Sequence, residues 1–131
     1  MSRIMLLDDE QIILAMIEDA LTLFAKEFYN SKWPLRFTKV KTAEDALEIM
    51  ESHSFELAIV DIMLARMNGW EFIKEVRKHK SQADLPIVVV SAIDGTELEY
   101  YSKRHGASLW FTKPIKPKEF SKQVFSLLAE R

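Results

Sequence analysis

At 131 residues the chain suits one domain with a single sizeable core. Its 48% hydrophobic and 29% charged content exclude a disordered chain, and a net charge of −2 gives no strong pull toward nucleic acid or an anionic membrane. The absence of cysteine excludes disulfides, thiolate chemistry and cysteine metal sites. The opening "MSRIMLLDDE" has too short an apolar run for a signal peptide. No stretch approaches the roughly 18 apolar residues of a membrane span, so the expected location is the cytoplasm.

The first predicted element is the compact run "RIMLL" (3–7), which ends in acids. From Ile13 the apolar positions Met16, Ile17, Ala20, Leu21, Phe24 and Phe28 follow helical spacing. "NSKWP" (30–34) breaks that helix, and "LRFTKV" (35–40) alternates as a strand does. Thr42 with Asp45 forms a capping box that opens a helix facing inward through Ala46, Leu47 and Met50. "ELAIVDIML" is the third strand. Asn68 with Glu71 caps the next helix, whose inner face is Phe72, Ile73 and Val76. "LPIVVVSA" (85–92) is the most strand-like segment, β-branched and opened by proline. A helix with a thin apolar face, anchored by Leu98 and Tyr101, covers 95–105. "SLWFT" (108–112) is a short strand, and Pro117 opens a last helix with Phe120, Val124, Leu127 and Leu128.

Five strand–helix units in strict alternation predict a doubly wound (βα)5 α/β fold: a parallel five-stranded sheet with helices on both faces. Continuous apolar strands such as "IVVVS" fit a sheet covered on both sides. The expectation is one domain over 1–131, with no second domain encoded.

In such a sheet ligands bind outside the carboxyl ends of the strands. Strand one ends in Asp8, Asp9 and Glu10, strand three at Asp61, strand four at Ser91 and strand five at Thr112 and Lys113. Asp61 stands alone in the apolar run from Leu57 to Leu64. Crowded acids raise one another's pKa, and a hard divalent cation such as Mg²⁺ removes that repulsion. Lysine adds a fixed positive charge and serine a donor. Together they are what phosphoryl transfer onto Asp61 needs.

"LLDDE", "IVDIMLARMNG", "VVVSA" and "GASLWFTKPI" together resemble the response-regulator receiver domain, the CheY-like, flavodoxin-like fold of two-component signalling. The resemblance covers essentially the whole chain in order. It implies Asp61 as phosphoacceptor, Asp8 and Asp9 as the acidic pocket for Mg²⁺ or Mn²⁺, and the main-chain carbonyl of Met63 as a further ligand. It implies Ser91 and Lys113 on the phosphoryl oxygens, with Ser91 and Trp110 as the switch pair. Met63 and Ile93 would flank the path of a hydrolytic water and set the phosphoryl lifetime. The implied partners are a sensor histidine kinase or histidine phosphotransfer protein, and a downstream protein on the face 95–129. No direct nucleic-acid or membrane contact is implied, and no enzyme beyond self-phosphorylation and self-dephosphorylation at Asp61. Two positions depart from the family pattern: Ala65 replaces a proline and Asn68 an aspartate. The segment 13–34 is longer than usual, and Trp33 and Pro34 lie in it as a private contact surface.

Plainer readings compete. Asp8, Asp9 and Glu10 equally suit a helix N-terminus. Trp110 suits ordinary packing, and Trp70 with Phe72 the core. His53, His79 and His105 read as surface or helix C-terminal complements. Lys74, Arg77, Lys78 and Lys80 read as a solvated helix face. Two other functions use the same residues: a pseudo-receiver that binds without being phosphorylated, and a haloacid-dehalogenase-type phosphatase. The latter wants a second acid two residues after the nucleophile, where this chain has Met63.

Overall fold

The protein, described by a computed structural model over residues 2–130, alternates strand and helix throughout. The elements are β1 (Ser2–Leu7), α1 (Gln11–Tyr29), β2 (Leu35–Val40), α2 (Ala43–Met50) and β3 (Leu57–Val60). They continue as α3 (Gly69–Arg77), β4 (Ile87–Ser91), α4 (Gly95–His105), β5 (Leu109–Thr112) and α5 (Pro117–Ala129). All strands pair in parallel in the order β2-β1-β3-β4-β5. The order reverses at β1, so a crevice opens above the carboxyl ends of β1 and β3.

Side-chain alternation divides the interior into two layers. Met5, Leu7, Ala58 and Val60 pack against α2, α3 and α4, where Phe72, Ile73 and Leu98 are buried. Ile4, Leu6, Leu57 and Ile59 face the other way, against Leu21 of α1 and Phe120 and Phe125 of α5. β3 and β4 are buried along their whole length, as a doubly covered sheet requires.

The predicted caps form. Thr42 Oγ1 accepts from the Asp45 N–H at 3.1 Å, and Asn68 Oδ1 from the Glu71 N–H at 3.0 Å. α4 has a cap the pattern did not single out, Asp94, whose carboxylate accepts from Thr96 and Glu97.

Other expectations are corrected. β3 stops at Val60 rather than continuing to Leu64. The Asp61 N–H still reaches the Leu7 carbonyl at 2.8 Å, and the chain then turns so that Leu64 bonds back to Ile62. On α1 the buried stripe is Leu14, Ile17, Ala20, Leu21 and Ala25, while Met16 and Phe28 are exposed. α4 is anchored by Leu98 and the buried Ser102, and Tyr101 lies at the surface. Trp70 is half-buried rather than core, stacked on His105 with centroids 5.1 Å apart. Trp33 is a packing residue: it donates to Ser2 Oγ at 2.9 Å and meets Tyr29 and Phe125 edge-on.

Arg77 is the largest correction. It is not solvated. Its Nε and Nη2 donate to the Gly106 carbonyl at 3.0 and 2.8 Å. Its Nη1 faces the carbonyls of Lys80, Ser81 and Leu85 at 3.2, 3.1 and 2.8 Å. One guanidinium thus ties the end of α3, the chain leading to β4 and the end of α4. Burial pulls its pKa down, but a guanidinium stays charged at neutral pH.

Candidate phosphoacceptor site

Two buried acids sit at the crevice. Asp8 follows β1 and is 2% exposed; Asp61 follows β3 and is 4% exposed. Each is fixed by its own backbone. Asp8 Oδ1 accepts from the Glu10 N–H at 2.9 Å, and Asp61 Oδ1 from the Met63 N–H at 3.2 Å. The acids are therefore not simple caps: Glu10 occupies the N-cap of α1 without a side-chain cap bond.

Lys113, just past β5, crosses to both acids. Its Nζ lies 3.0 Å from Asp8 Oδ2, 3.2 Å from Asp61 Oδ2 and 3.3 Å from Glu10 Oε1. Asp9 is exposed beside them. Carboxylate oxygens of Asp8, Asp9, Glu10 and Asp61 all lie within 4.8 Å of one another. Four carboxylates facing one ammonium leave excess negative charge, and every donor is oxygen. That set fits a hard divalent cation such as Mg²⁺ or Mn²⁺ and does not fit a soft one.

Ser91 ends β4, fully buried, with a hydroxyl that has no hydrogen-bond partner. Its carbonyl accepts from the Lys113 N–H at 2.8 Å, which couples the ends of β4 and β5. Ile93 is half-buried beyond it, and Met63 is 60% exposed. Trp110 pairs in register with Val89 and packs on the α2–α4 side of the sheet, with the Lys103 ammonium 5.9 Å from its ring centroid. The fold thus gathers Asp8, Asp9, Asp61 and Lys113. It ends β4 at Ser91 on the same edge, with Ile93 two residues beyond it and Met63 two residues beyond Asp61, and leaves Trp110 two register positions back from the Ser91–Thr112 pair. Glu10 is the member not singled out as a site residue, though its place next to the acid pair was the signal for it.

Burial raises the Asp8 pKa above its ordinary value; the Glu10 N–H and Lys113 oppose this and Asp61 reinforces it. For Lys113, burial alone lowers the pKa. The Asp8 hydrogen bond and the charges of Asp61 and Asp8 outweigh it, so the ammonium pKa ends above its ordinary value. Both shifts are upward, so both contributions are lost as pH rises, but in different windows. A raised carboxyl pKa stabilises the fold at acid pH, and that contribution is lost as pH rises through the folded value. The Lys113 contribution persists through neutrality and is lost only in alkali. Asp8→Asn, without divalent cation, is therefore expected to be more stable than wild type near pH 7. The gain should shrink as pH falls and wild-type Asp8 takes up its proton. Urea denaturation at neutral and acid pH measures it, and a loss near pH 7 would mean that the Lys113 attraction outweighs burial.

The chain belongs to the response regulator receiver domain family, which matches residues 4–125. It is thus a receiver domain of the kind found in two-component systems, and this family is not one of turnover enzymes. It is 29% identical over 128 residues to the probable transcriptional regulator ycf27 of Cyanidium caldarium, covering 95% of this chain and 45% of that one. It is 26% identical over 128 residues to the response regulator SaeR of Staphylococcus aureus, covering 98% and 51% respectively. The chain spans about half the length of these curated relatives. Among solved structures, it superposes on a CheY-like receiver domain from Methanospirillum hungatei with a TM-score of 0.82 at 24% identity, over 99% of this chain and 95% of that one. It also matches the BeF3-activated DrrB receiver domain with a TM-score of 0.82 at 22% identity, over 100% and 99%. Among the described residues, no helix is long and apolar enough to cross a membrane.

Proposed function

We propose that this receiver takes a phosphoryl group from a phosphohistidine, on a sensor kinase or histidine phosphotransfer protein, onto Asp61. The observation that carries the reading is the Lys113 ammonium shared between two buried carboxylates, at 3.0 Å from Asp8 and 3.2 Å from Asp61. An Asp61 oxygen attacks phosphorus, the P–O bond forms, and the P–N bond breaks with its electron pair on the imidazole nitrogen. Asp8, Asp9, Asp61 and the Met63 carbonyl would hold a divalent cation, whose positive charge would offset the carboxylate and phosphoryl oxygens. Lys113 pairs with the Asp61 carboxylate and then with a phosphoryl oxygen. The Ser91 hydroxyl, without a partner in this state, gains an acceptor. Its movement makes room for Trp110 to turn inward, which shifts the face of α4, β5 and α5 toward a form that a downstream protein binds.

Acetyl phosphate labelling in Mg²⁺ tests this. Asp61→Asn keeps the shape and removes the nucleophile, so label should fall on the order of 100-fold. Persistent label would place the acceptor elsewhere, and an unlabelled wild type would favour a pseudo-receiver. Hydrogen exchange on the labelled protein should change first in 95–105. A response confined to 13–34 would remove the proposed output face.

The acyl phosphate should be long-lived. Hydrolysis needs a water in line with the bond from Asp61 to phosphorus, and the flanking side chains, Met63 and Ile93, are apolar. Positioning of a water contributes on the order of 1–2 kcal/mol, roughly tenfold in rate. Met63→Asn with Ile93→Gln should therefore shorten the label's lifetime severalfold after donor removal at saturating Mg²⁺. An unchanged lifetime would show that these side chains do not gate the water.

A further inference from the structure

One cavity among the described residues lies away from the acid cluster and shares no residue with it. It is a groove of about 810 Å³ between the last turns of α1 and the first turns of α5. Phe24, Phe28 and Tyr29 form its apolar side, and Lys116, Lys118 and Lys122 its rim. Phe28 is 50% exposed although its ring lies 4.4 Å, centroid to centroid, from that of Phe24. A half-exposed phenylalanine in a concave aromatic surface is an unfilled contact.

The rim's charge identifies the occupant. Three lysines line the groove against one acid, Glu119, in a chain whose net charge is −2. Glu119 is already engaged, accepting from Gln123 Nε2 at 3.1 Å. Lys118 lies 3.8 Å from Glu27, an exposed pair of little strength, and 5.5 Å from the Phe28 ring centroid. The N-terminus of α5 opens beside them with Lys116 at its N-cap and no side-chain cap bond, which adds partial positive charge.

We propose that this groove docks an acidic peptide segment of a partner protein, its aromatic or large aliphatic side chain against Phe24 and Phe28 and its carboxylates on Lys116, Lys118 and Lys122. Concavity favours a peptide over a lipid surface, which contacts protruding side chains. Three lysines with Glu27 and Glu119 among them are too few for a nucleic-acid backbone. The groove shares no residue with the acid cluster, so it offers the receiver a second contact that does not require Asp61 chemistry.

The probe is a dye-labelled eight-residue peptide of alternating glutamate and phenylalanine, compared with its counterpart carrying glutamine for glutamate. By fluorescence anisotropy the acidic peptide should bind about tenfold tighter or more, and the difference should fall with added salt. Lys118→Glu with Lys122→Glu should lose about tenfold, and Phe28→Ser severalfold. The lysine double variant should still take label from acetyl phosphate, and Asp61→Asn should still bind the peptide, which separates this proposal from the phosphoacceptor reading. Equal binding of the two peptides, or no loss in the lysine variant, would overturn it. So would lysine-dependent sedimentation with phosphatidylglycerol vesicles in place of peptide binding, which would make the occupant a membrane. A dimer in sedimentation velocity that the lysine variant abolishes would make the occupant a second copy and overturn it too.

Discussion

Arg77→Met is expected to destabilise the protein by about 3 kcal/mol, from the loss of charge-assisted hydrogen bonds worth roughly 1.5–3 kcal/mol each, offset by rehydration of the outer carbonyls. The methionine keeps most of the side chain's apolar stem, so the loss reports the guanidinium. Five donor–acceptor contacts converge on it from four carbonyls, and those of Gly106 and Leu85 are the shortest, at 2.8 Å. Arg77→Lys is expected to recover less than half. One ammonium cannot span Gly106 on one side and Leu85 on the other, as the planar fork does. The contacts lie where α3 and α4 end, away from the carboxyl ends of the strands, so folded protein of either variant should still be labelled at Asp61. Urea denaturation gives the stability. A loss under 1 kcal/mol for the methionine variant, or a lysine variant of wild-type stability, would show that the carbonyls are satisfied without the fork.

Arg77 also marks where the sequence stops being legible. Its acceptors are main-chain carbonyls, which carry no residue signature, and two of the four come together only when α3, α4 and β4 pack. From the chain alone it is one more cation in a run of lysines. The α1 stripe was misjudged for a related reason. Apolar residues occupy so many of its positions that several faces satisfy helical spacing. Which one is buried depends on α5, whose Phe125 meets Phe24 and Tyr29. What was legible is what is local or what topology guarantees. Thr42 and Asn68 cap helices because the bond closes within three residues. Asp8, Asp61, Ser91 and Lys113 meet because parallel strands deliver their carboxyl ends to one edge. The unpaired Ser91 hydroxyl was not legible, since burial without a partner is a property of the packed site.

Gly69→Ala is expected to cost about 3 kcal/mol and to impair labelling at Asp61, because the new methyl group has no room and overpacking against backbone is not relieved by a rotamer change. Gly69 opens α3 directly beneath the phosphoacceptor loop, with its N–H 2.9 Å from the Ile62 carbonyl. A Cβ there would fall 2.6 Å from Ile62 Cα and on top of the Asp61 main-chain oxygen. Both are backbone atoms of the segment that aims the Asp61 carboxylate at Lys113. Relief requires either α3 or the loop to move, so stability and site geometry should fail together. Gly95 supplies the control. It too opens a helix, but a Cβ there meets only Thr112 Oγ1, at 3.9 Å. Gly95→Ala should therefore be neutral or stabilising by about 0.5 kcal/mol through the entropy of the unfolded chain. Urea denaturation and the initial rate of labelling, measured on both variants, test the contrast. A Gly69→Ala protein within 1 kcal/mol of wild type and labelled at the normal rate would show that the loop yields freely, and that close packing under Asp61 does not hold the carboxylate in place.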